Sequence, residues 1–362
     1  MNNSENPLVS VRLITYNHEK YIEEAIYSVL SQTFQDYELI IVNDGSTDET
    51  DSIIKRILEK ENNPKIKYIY QENQGTSSAC NTAILNARGK YIANMSGDDV
   101  CYPYRLEKQM QFIQETGAKI VFSWVDIIDD NSNIITKTYY NTIIFNQPPR
   151  SRFSTLRHFF FNFNYINSPS GLIEKQLLIE SGLYCLTSIQ SQDLDMWIKL
   201  AKKYDICLLP EKLLKYRIRA NNNNLSNSDN GRGSRMIFEH YQIHKTFFDD
   251  FPMDLFKQVF VNEIRLNNFS SNIHYELEKS FIYLLHRESY IQIIGLENLF
   301  CLLQDESILK VAKSEYNFDL PKLYELTKKI DFWNYKQIFS NTQKIKSLFP
   351  TFIKNLWRRY KN

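Results

Sequence analysis

The chain has 362 residues, and its 43 Lys and Arg nearly cancel its 42 Asp and Glu, leaving a net charge of +1. That balance creates no global field for a polyanion and argues against a nucleic-acid partner, while the length suits one large domain plus an appendage. The five cysteines (Cys80, Cys101, Cys185, Cys207, Cys301) are odd in number and lack CxxC spacing, and no apolar run approaches the ~20 residues that span a bilayer, so the expected setting is a reducing cytoplasm without disulfides, structural zinc, a signal peptide or a membrane span.

Residues 9–15 form a nearly continuous apolar run with one charge, as suits a strand covered on both faces of a parallel sheet. Ile22, Ala25, Ile26, Val29 and Leu30 then recur at helical spacing, and residues 39–42 are a second β-branched run. Two strands joined by a helix make a βαβ unit with a right-handed crossover. Ligands of open α/β sheets sit beyond the carboxyl ends of the strands. Here those ends are Thr15, Tyr16 and Asn17, and Asn43, Asp44 and Gly45. Ser46 with Glu49 three residues on reads as a capping box that starts a helix near Thr47. A carboxylate at Asp44 can accept a hydrogen bond from a base N–H or a ribose hydroxyl. Equally, Asp44 and Asp48 can simply cap and solvate a turn.

Thr15-Tyr16-Asn17, the helical Ser28-Val29-Leu30 with Gln32 and Thr33, and the run Val42-Asn43-Asp44-Gly45-Ser46-Thr47-Asp48 resemble the amino-terminal signature of the family 2 glycosyltransferases. The resemblance extends over about residues 9–226 and rests on several spaced motifs. It implies a GT-A fold, a Rossmann-like mixed α/β sheet flanked by helices that binds a nucleotide-sugar. In that family the Thr-Tyr pair and the Asp matching Asp44 hold the nucleoside, usually uridine. Asn17, the turn residues Asn73 and Gly75, and Asn81 are expected in the same donor site.

Farther along, residues 53–58 suit a helix, 66–70 a strand, 73–75 a turn, 76–86 a helix and 91–95 a strand ending at Ser96-Gly97-Asp98-Asp99. The alternation implies a parallel or mixed sheet. Adjacent carboxylates call for a counter-charge, which Mg2+ or Mn2+ can supply while bridging to a diphosphate; a solvated turn leading into Pro103 is the plain alternative. The resemblance assigns metal contact to Asp99, and ribose or metal contact to Asp98. Many relatives carry Asp where this chain has Ser96, and Arg where it has Cys80. Loss of that Arg removes a phosphate contact that Arg88, Lys90 or a later arginine would have to supply.

Residues 104–116 suit a helix, 120–128 a strand and 129–133 a hairpin-like turn, with an irregular acceptor-side stretch over 136–152. Phe159, Phe160, Phe161 and Phe163 read as core packing, with an acceptor platform or membrane-facing patch as the alternative. Residues 177–182 suit a helix closed by Gly182. Next, Met196, Trp197, Leu200 and Ala201 form the buried stripe of a helix that begins near Asp193, where the helix dipole favours a carboxylate. An inverting sugar transfer needs one carboxylate near the anomeric carbon to take the acceptor proton. The stretch Gln192-Asp193-Leu194-Asp195-Met196-Trp197 resembles the family's Glu-Asp-x-Asp-hydrophobic-Trp segment, with Gln192 in place of Glu. The catalytic Asp then falls on Asp193, with Asp195 second. Arg217 and Arg219 share one strand face and can hold a diphosphate or merely solvate that face. Relatives often carry His at the position of Arg219. Residues 221–233 read as a loop able to close over substrate.

Helical spacing takes over from Ser234, which suggests a GT-A domain at 1–233 and a helical C-terminal extension at 234–362. Within the domain, the nucleotide-sugar half is expected at about 1–100 and the acceptor half at about 101–233. His240 and His244 lie one helical turn apart without a third ligand. Residues 349–360 suit a packed terminal helix or, equally, an interfacial helix on the cytoplasmic face of the inner membrane. The resemblance as a whole implies an inverting, metal-dependent glycosyltransferase. It would move a sugar from a nucleotide-diphosphate donor, UDP-sugar expected, to a saccharide or lipid-linked acceptor in bacterial surface-polysaccharide or glycolipid assembly. No GxGxxG or Gly-rich basic loop follows the first strand, which counts against an oxidoreductase or a nucleotidyltransferase. A non-catalytic nucleotide-sugar-binding scaffold of the same fold is the alternative that Ser96, Cys80 and Gln192 keep open.

Overall fold

A computed structural model describes residues 6–136, 144–219 and 232–330. Most of the Asn-rich stretch 221–233 and all of 349–360 lie outside the described residues. The chain divides into two compact units, Met1–Val259 and Phe260–Asn362.

The first unit is built on one eight-stranded sheet in the order β3-β2-β1-β4-β7-β6-β8-β5. The strands are β1 (Val9–Thr15), β2 (Tyr37–Asp44), β3 (Ile66–Gln71), β4 (Tyr91–Ser96), β5 (Val100–Cys101), β6 (Ile120–Ile128), β7 (Leu172–Glu174) and β8 (Cys207–Arg217). Strands β3, β2, β1 and β4 run parallel, and β7 enters antiparallel between β4 and β6. Helices α1 (Ile22–Leu30), α2 (Thr50–Glu61), α3 (Thr76–Asn86), α4 (Arg105–Thr116), α5 (Arg152–Asn162), α6 (Lys175–Glu180), α7 (Gln192–Ala201), α8 (Arg232–Lys245) and α9 (Met253–Val259) complete it. This is the mixed sheet flanked by helices that the sequence implies.

Leu39, Ile40, Ile41 and Val42 of β2 are all fully buried, as a strand covered on both faces requires. Along β1 the faces differ. Val9, Val11 and Leu13 join the apolar cluster with Ile22, Ala25, Ile26 and Val29 of α1, while the intervening Ser10 and Arg12 are buried among polar partners. Register sets the site: Thr15 lies opposite Asn43, Ile14 opposite Ser96, and Asp44 opposite Gln71. The carboxyl ends of four strands therefore finish at one level.

One local expectation fails. Helix α2 starts at Thr50, not near Thr47, and has no side-chain cap from Glu49. The Ser46 hydroxyl is taken by the Asn17 N–H at 3.0 Å, and Asp48 accepts the Thr50 N–H at 3.0 Å. Tertiary demand for the Ser46 oxygen moves the helix start by one turn.

The second unit contains α10 (Asn272–Leu284), α11 (Ser289–Leu302), α12 (Glu306–Glu315) and α13 (Leu320–Lys329). Leu277, Phe281, Leu296, Leu299, Leu303 and Phe318 give it a core of its own. Among the described residues no helix is long and apolar enough to cross a membrane.

Candidate active site

At the end of β1, Thr15 is buried with its hydroxyl 3.2 Å from His18 Nδ1. Asn17 turns the chain with φ 56°, and its side-chain oxygen accepts the Thr47 N–H at 2.8 Å. Tyr16 stays 44% exposed, leaving an aromatic face at the rim of the strand ends. Asp44 is buried at the end of β2 and accepts Gln71 Nε2 at 2.8 Å, the Gln74 N–H at 3.0 Å and the Gly75 N–H at 2.9 Å. The turn carrying Asn73 and Gly75 is thus folded onto this carboxylate. Gly45 permits that approach: its φ is +72°, and a Cβ there would lie 2.6 Å from the Asn73 nitrogen.

The end of β4 packs as tightly. A Cβ on Gly97 would lie 2.6 Å from Thr15 Oγ1. Asp98 accepts the Ser96 hydroxyl at 2.5 Å, with Arg219 Nε at 3.2 Å and His18 Nε2 at 3.8 Å. Burial opposes ionisation of Asp98, but His18, Arg219 and Ser96 outweigh it and hold the carboxyl below its usual range. Asp99 behaves oppositely. Burial first, and the neighbouring Asp98 charge second, push its carboxyl well above the usual range. Its Oδ1 accepts the Arg217 N–H at 2.9 Å, and its buried Oδ2 has no hydrogen-bond partner. An unpartnered buried carboxylate oxygen beside a second carboxylate fits Mg2+ or Mn2+, which take one or two carboxylates and fill the remaining positions with water and substrate phosphate. No group of three or more His, Cys, Asp or Glu able to hold a metal occurs among the described residues.

The two arginines expected to act together have separate positions. Arg217 is fully buried, donating from Nε to Asp98 O at 2.7 Å, from Nη1 to Asp129 O at 2.7 Å and from Nη2 to Glu24 Oε2 at 2.7 Å. It is a strut that shapes the acidic turn. Arg219, beyond the end of β8, lies beside Asp98 at the strand ends.

Asp193 sits in the first turn of α7. Its Oδ2 accepts Asn164 Nδ2 at 2.9 Å and its Oδ1 the Leu194 N–H at 2.7 Å. Burial raises its carboxyl to about 6, with the Glu239 charge adding to the rise. Asp195, the second candidate, is paired with Lys199 at 2.7 Å, which leaves Asp193 as the carboxylate without a cation. The Asp193 and Asp44 charges both act on the buried Cys80 thiol of α3.

The sequence profile "Glycosyl transferase family 2" matches residues 10–173. An uncharacterized glycosyltransferase of Methanocaldococcus jannaschii is 37% identical over 227 residues, covering 61% of this chain and 74% of the relative. The chain belongs to glycosyl transferase family 2. The Escherichia coli O-antigen biosynthesis glycosyltransferase WbnJ is 30% identical over 217 residues, covering 58% of this chain and 80% of WbnJ. The crystal structure of S. aureus TarS 1-349 has the same fold, with a TM-score of 0.53 and 16% identity over 85% of this chain and 91% of that one. TarS in complex with UDP-GlcNAc superposes with a TM-score of 0.51 and 18% identity.

Two of the expected donor-site residues are engaged within the protein. The Asn81 amide exchanges two hydrogen bonds of 2.9 Å with the Tyr184 backbone, tying α3 to the loop before α7. Arg88, offered as a replacement for the arginine missing at Cys80, pairs with Glu38 at 2.8 Å next to the amino end of β4. The cation facing Cys80 is instead Arg12, on β1. It donates from Nε to Asn94 at 2.7 Å and from Nη2 to Tyr184 OH at 2.8 Å, and its charge acts on the Cys80 thiol. The one charge in an otherwise apolar strand was the available signal, since a guanidinium is buried only where partners await it.

Proposed function

We propose that this enzyme transfers a sugar from a UDP-sugar to a hydroxyl acceptor with inversion at the anomeric carbon, in the assembly of a surface polysaccharide or glycolipid. The observation that carries the reading is Asp193, a half-buried carboxylate without a cation whose carboxyl is raised by desolvation to about 6. A base with a pKa just below the working pH is ionised and still basic enough to accept a proton. The UDP donor is supported by Asp44 and Tyr16 at the strand ends, by the TarS complex with UDP-GlcNAc on the same fold, and by the family resemblance. The polysaccharide context is supported by the similarity to an O-antigen biosynthesis enzyme.

In this mechanism Tyr16 stacks on the base, while Thr15, Asn17 and the Asp44 turn bound the nucleoside. Asp99, with Asp98, would hold Mg2+ or Mn2+, which when bound neutralises charge on the diphosphate. Arg219 adds a fixed cation beside the same phosphates. Asp193 takes the acceptor hydroxyl proton as the new bond to the anomeric carbon forms and the bond to the diphosphate oxygen breaks. UDP leaves with the electron pair of that bond.

A thermal-shift panel of UDP, GDP, dTDP and CMP, each with and without Mn2+, tests the donor site. At about 100 times its dissociation constant, UDP is expected to stabilise the fold by about 2.7 kcal/mol, and more weakly without Mn2+. A shift with GDP alone would overturn the UDP assignment. No shift with any nucleotide would overturn the donor site.

A further inference from the structure

The turn that delivers Asp193 is held by a residue from beyond the segment that the family profile matches. Glu239, on α8, is only 5% exposed. Its carboxylate accepts the Ser188 hydroxyl at 2.9 Å and the backbone N–H groups of Ile189 at 3.0 Å, Gln190 at 2.9 Å and Ser191 at 2.8 Å. Three successive N–H groups converging on one anion form a nest, which favours negative charge at its centre. The chain fills this nest with its own side chain. The same turn is fixed from the opposite side, where the Ser77 hydroxyl of α3 donates to Ser188 O at 2.7 Å. Helix α7 starts directly afterwards, so Asp193 is two residues from the last nest N–H. α8 is anchored in turn, with His244 Nε2 2.9 Å from Phe160 O and the His240 ring stacked on Phe163 at 4.2 Å.

We propose that Glu239 is a positioning residue for sugar transfer, locking the 188–191 turn so that Asp193 meets the acceptor hydroxyl. This rests on the assignment of Asp193 as the base. Five donors and acceptors in the turn are spent on Glu239 and Ser77, which leaves the Asp193 backbone little freedom; a misplacement of about 1 Å at a reacting group can cost about 10²-fold in rate. Glu239 also acts through its charge. The titratable groups around Asp193 are Glu239 from α8, Cys80 from α3 and Tyr184 from the preceding loop, and Glu239 is the carboxylate among those that interact with it.

The test measures UDP release, with water as acceptor, from the most active of UDP-glucose, UDP-galactose and UDP-GlcNAc. Glu239→Gln is expected to lower kcat about tenfold or more with UDP affinity unchanged, and to move the acid limb of the kcat profile to lower pH. A purely structural role would lower kcat and thermal stability without moving the limb, and that result would overturn the charge role. Glu239→Asp keeps the charge but is one methylene short, so it is expected to lower kcat with the limb in place. This variant also decides the matter if Glu239→Gln does not fold, because parental kcat in Glu239→Asp would overturn the positioning role. Parental turnover in Asp193→Asn would instead sink the base assignment, a distinguishable failure.

Discussion

Asp193 links stability and activity through one carboxyl. Burial lifts it from 3.8 to about 6 in the folded chain. Its folded value lies above its unfolded value, so its stabilising contribution is fully present below about pH 4 and is lost as pH rises through about 6. Turnover should show the opposite trend, because only the ionised carboxylate accepts a proton, and log kcat is expected to fall with unit slope below about pH 6. Asp193→Asn is expected to be the more stable protein above pH 6, by on the order of 1–3 kcal/mol, and to have no advantage at pH 4. Thermal melts of both proteins at the two pH values check this. Equal melting curves at every pH would mean that the carboxyl is not desolvated. The identity of this residue could be read from the sequence only through the family pattern. Its competitor Asp195 is paired with Lys199, a bond that i,i+4 spacing permits but does not require. Arg12 was legible as a charge in a strand, but the partners that bury it, Asn94 and Tyr184, are 82 and 172 residues away.

At the scale of elements, the proposed nucleoside site depends on a turn being able to lie on the end of β2. Gly45→Ala must place a methyl group at φ +72° and 2.6 Å from the Asn73 nitrogen. The left-handed backbone alone costs about 1–2 kcal/mol, and relief of the clash pushes the 73–75 turn off Asp44. The expected outcome is a lower denaturant midpoint together with weakened UDP binding; parental UDP affinity would contradict the role given to this turn. Elements set by local pattern are found where the sequence puts them: 76–86 is α3, after the 73–75 turn, and 120–128 is β6, a nearly continuous apolar run buried on both faces. The start of α2 was not legible. Its capping signal competes with Asn17, 29 residues earlier, and only the folded sheet brings the two together.

For the whole molecule, the change to helical spacing at Ser234 suggests a boundary at 233, whereas the contacts divide the chain after Val259. Local pattern reports the start of a helix, not the partner it packs on. α8 carries Glu239 and His244, both bonded to the sheet unit, so we propose that α8 and α9 belong functionally to the transferase unit. A chain ending at 259 is expected to unfold cooperatively and bind UDP. One ending at 233 leaves the 188–191 N–H groups without their acceptor and is expected to lose stability and turnover. Comparing UDP affinity and melting of the two truncations with the full chain checks this; equal behaviour would contradict it.

Asp193 is the proposed base, and the most direct test of that role is UDP release together with UDP affinity in Asp193→Asn. The side chain keeps its shape and its bond from Asn164 can be retained, but the amide cannot take a proton. A fall in kcat of about 10²–10⁴-fold with UDP affinity unchanged is the predicted result. Turnover at the parental rate would contradict the mechanism, because sugar transfer would then proceed without the Asp193 carboxylate.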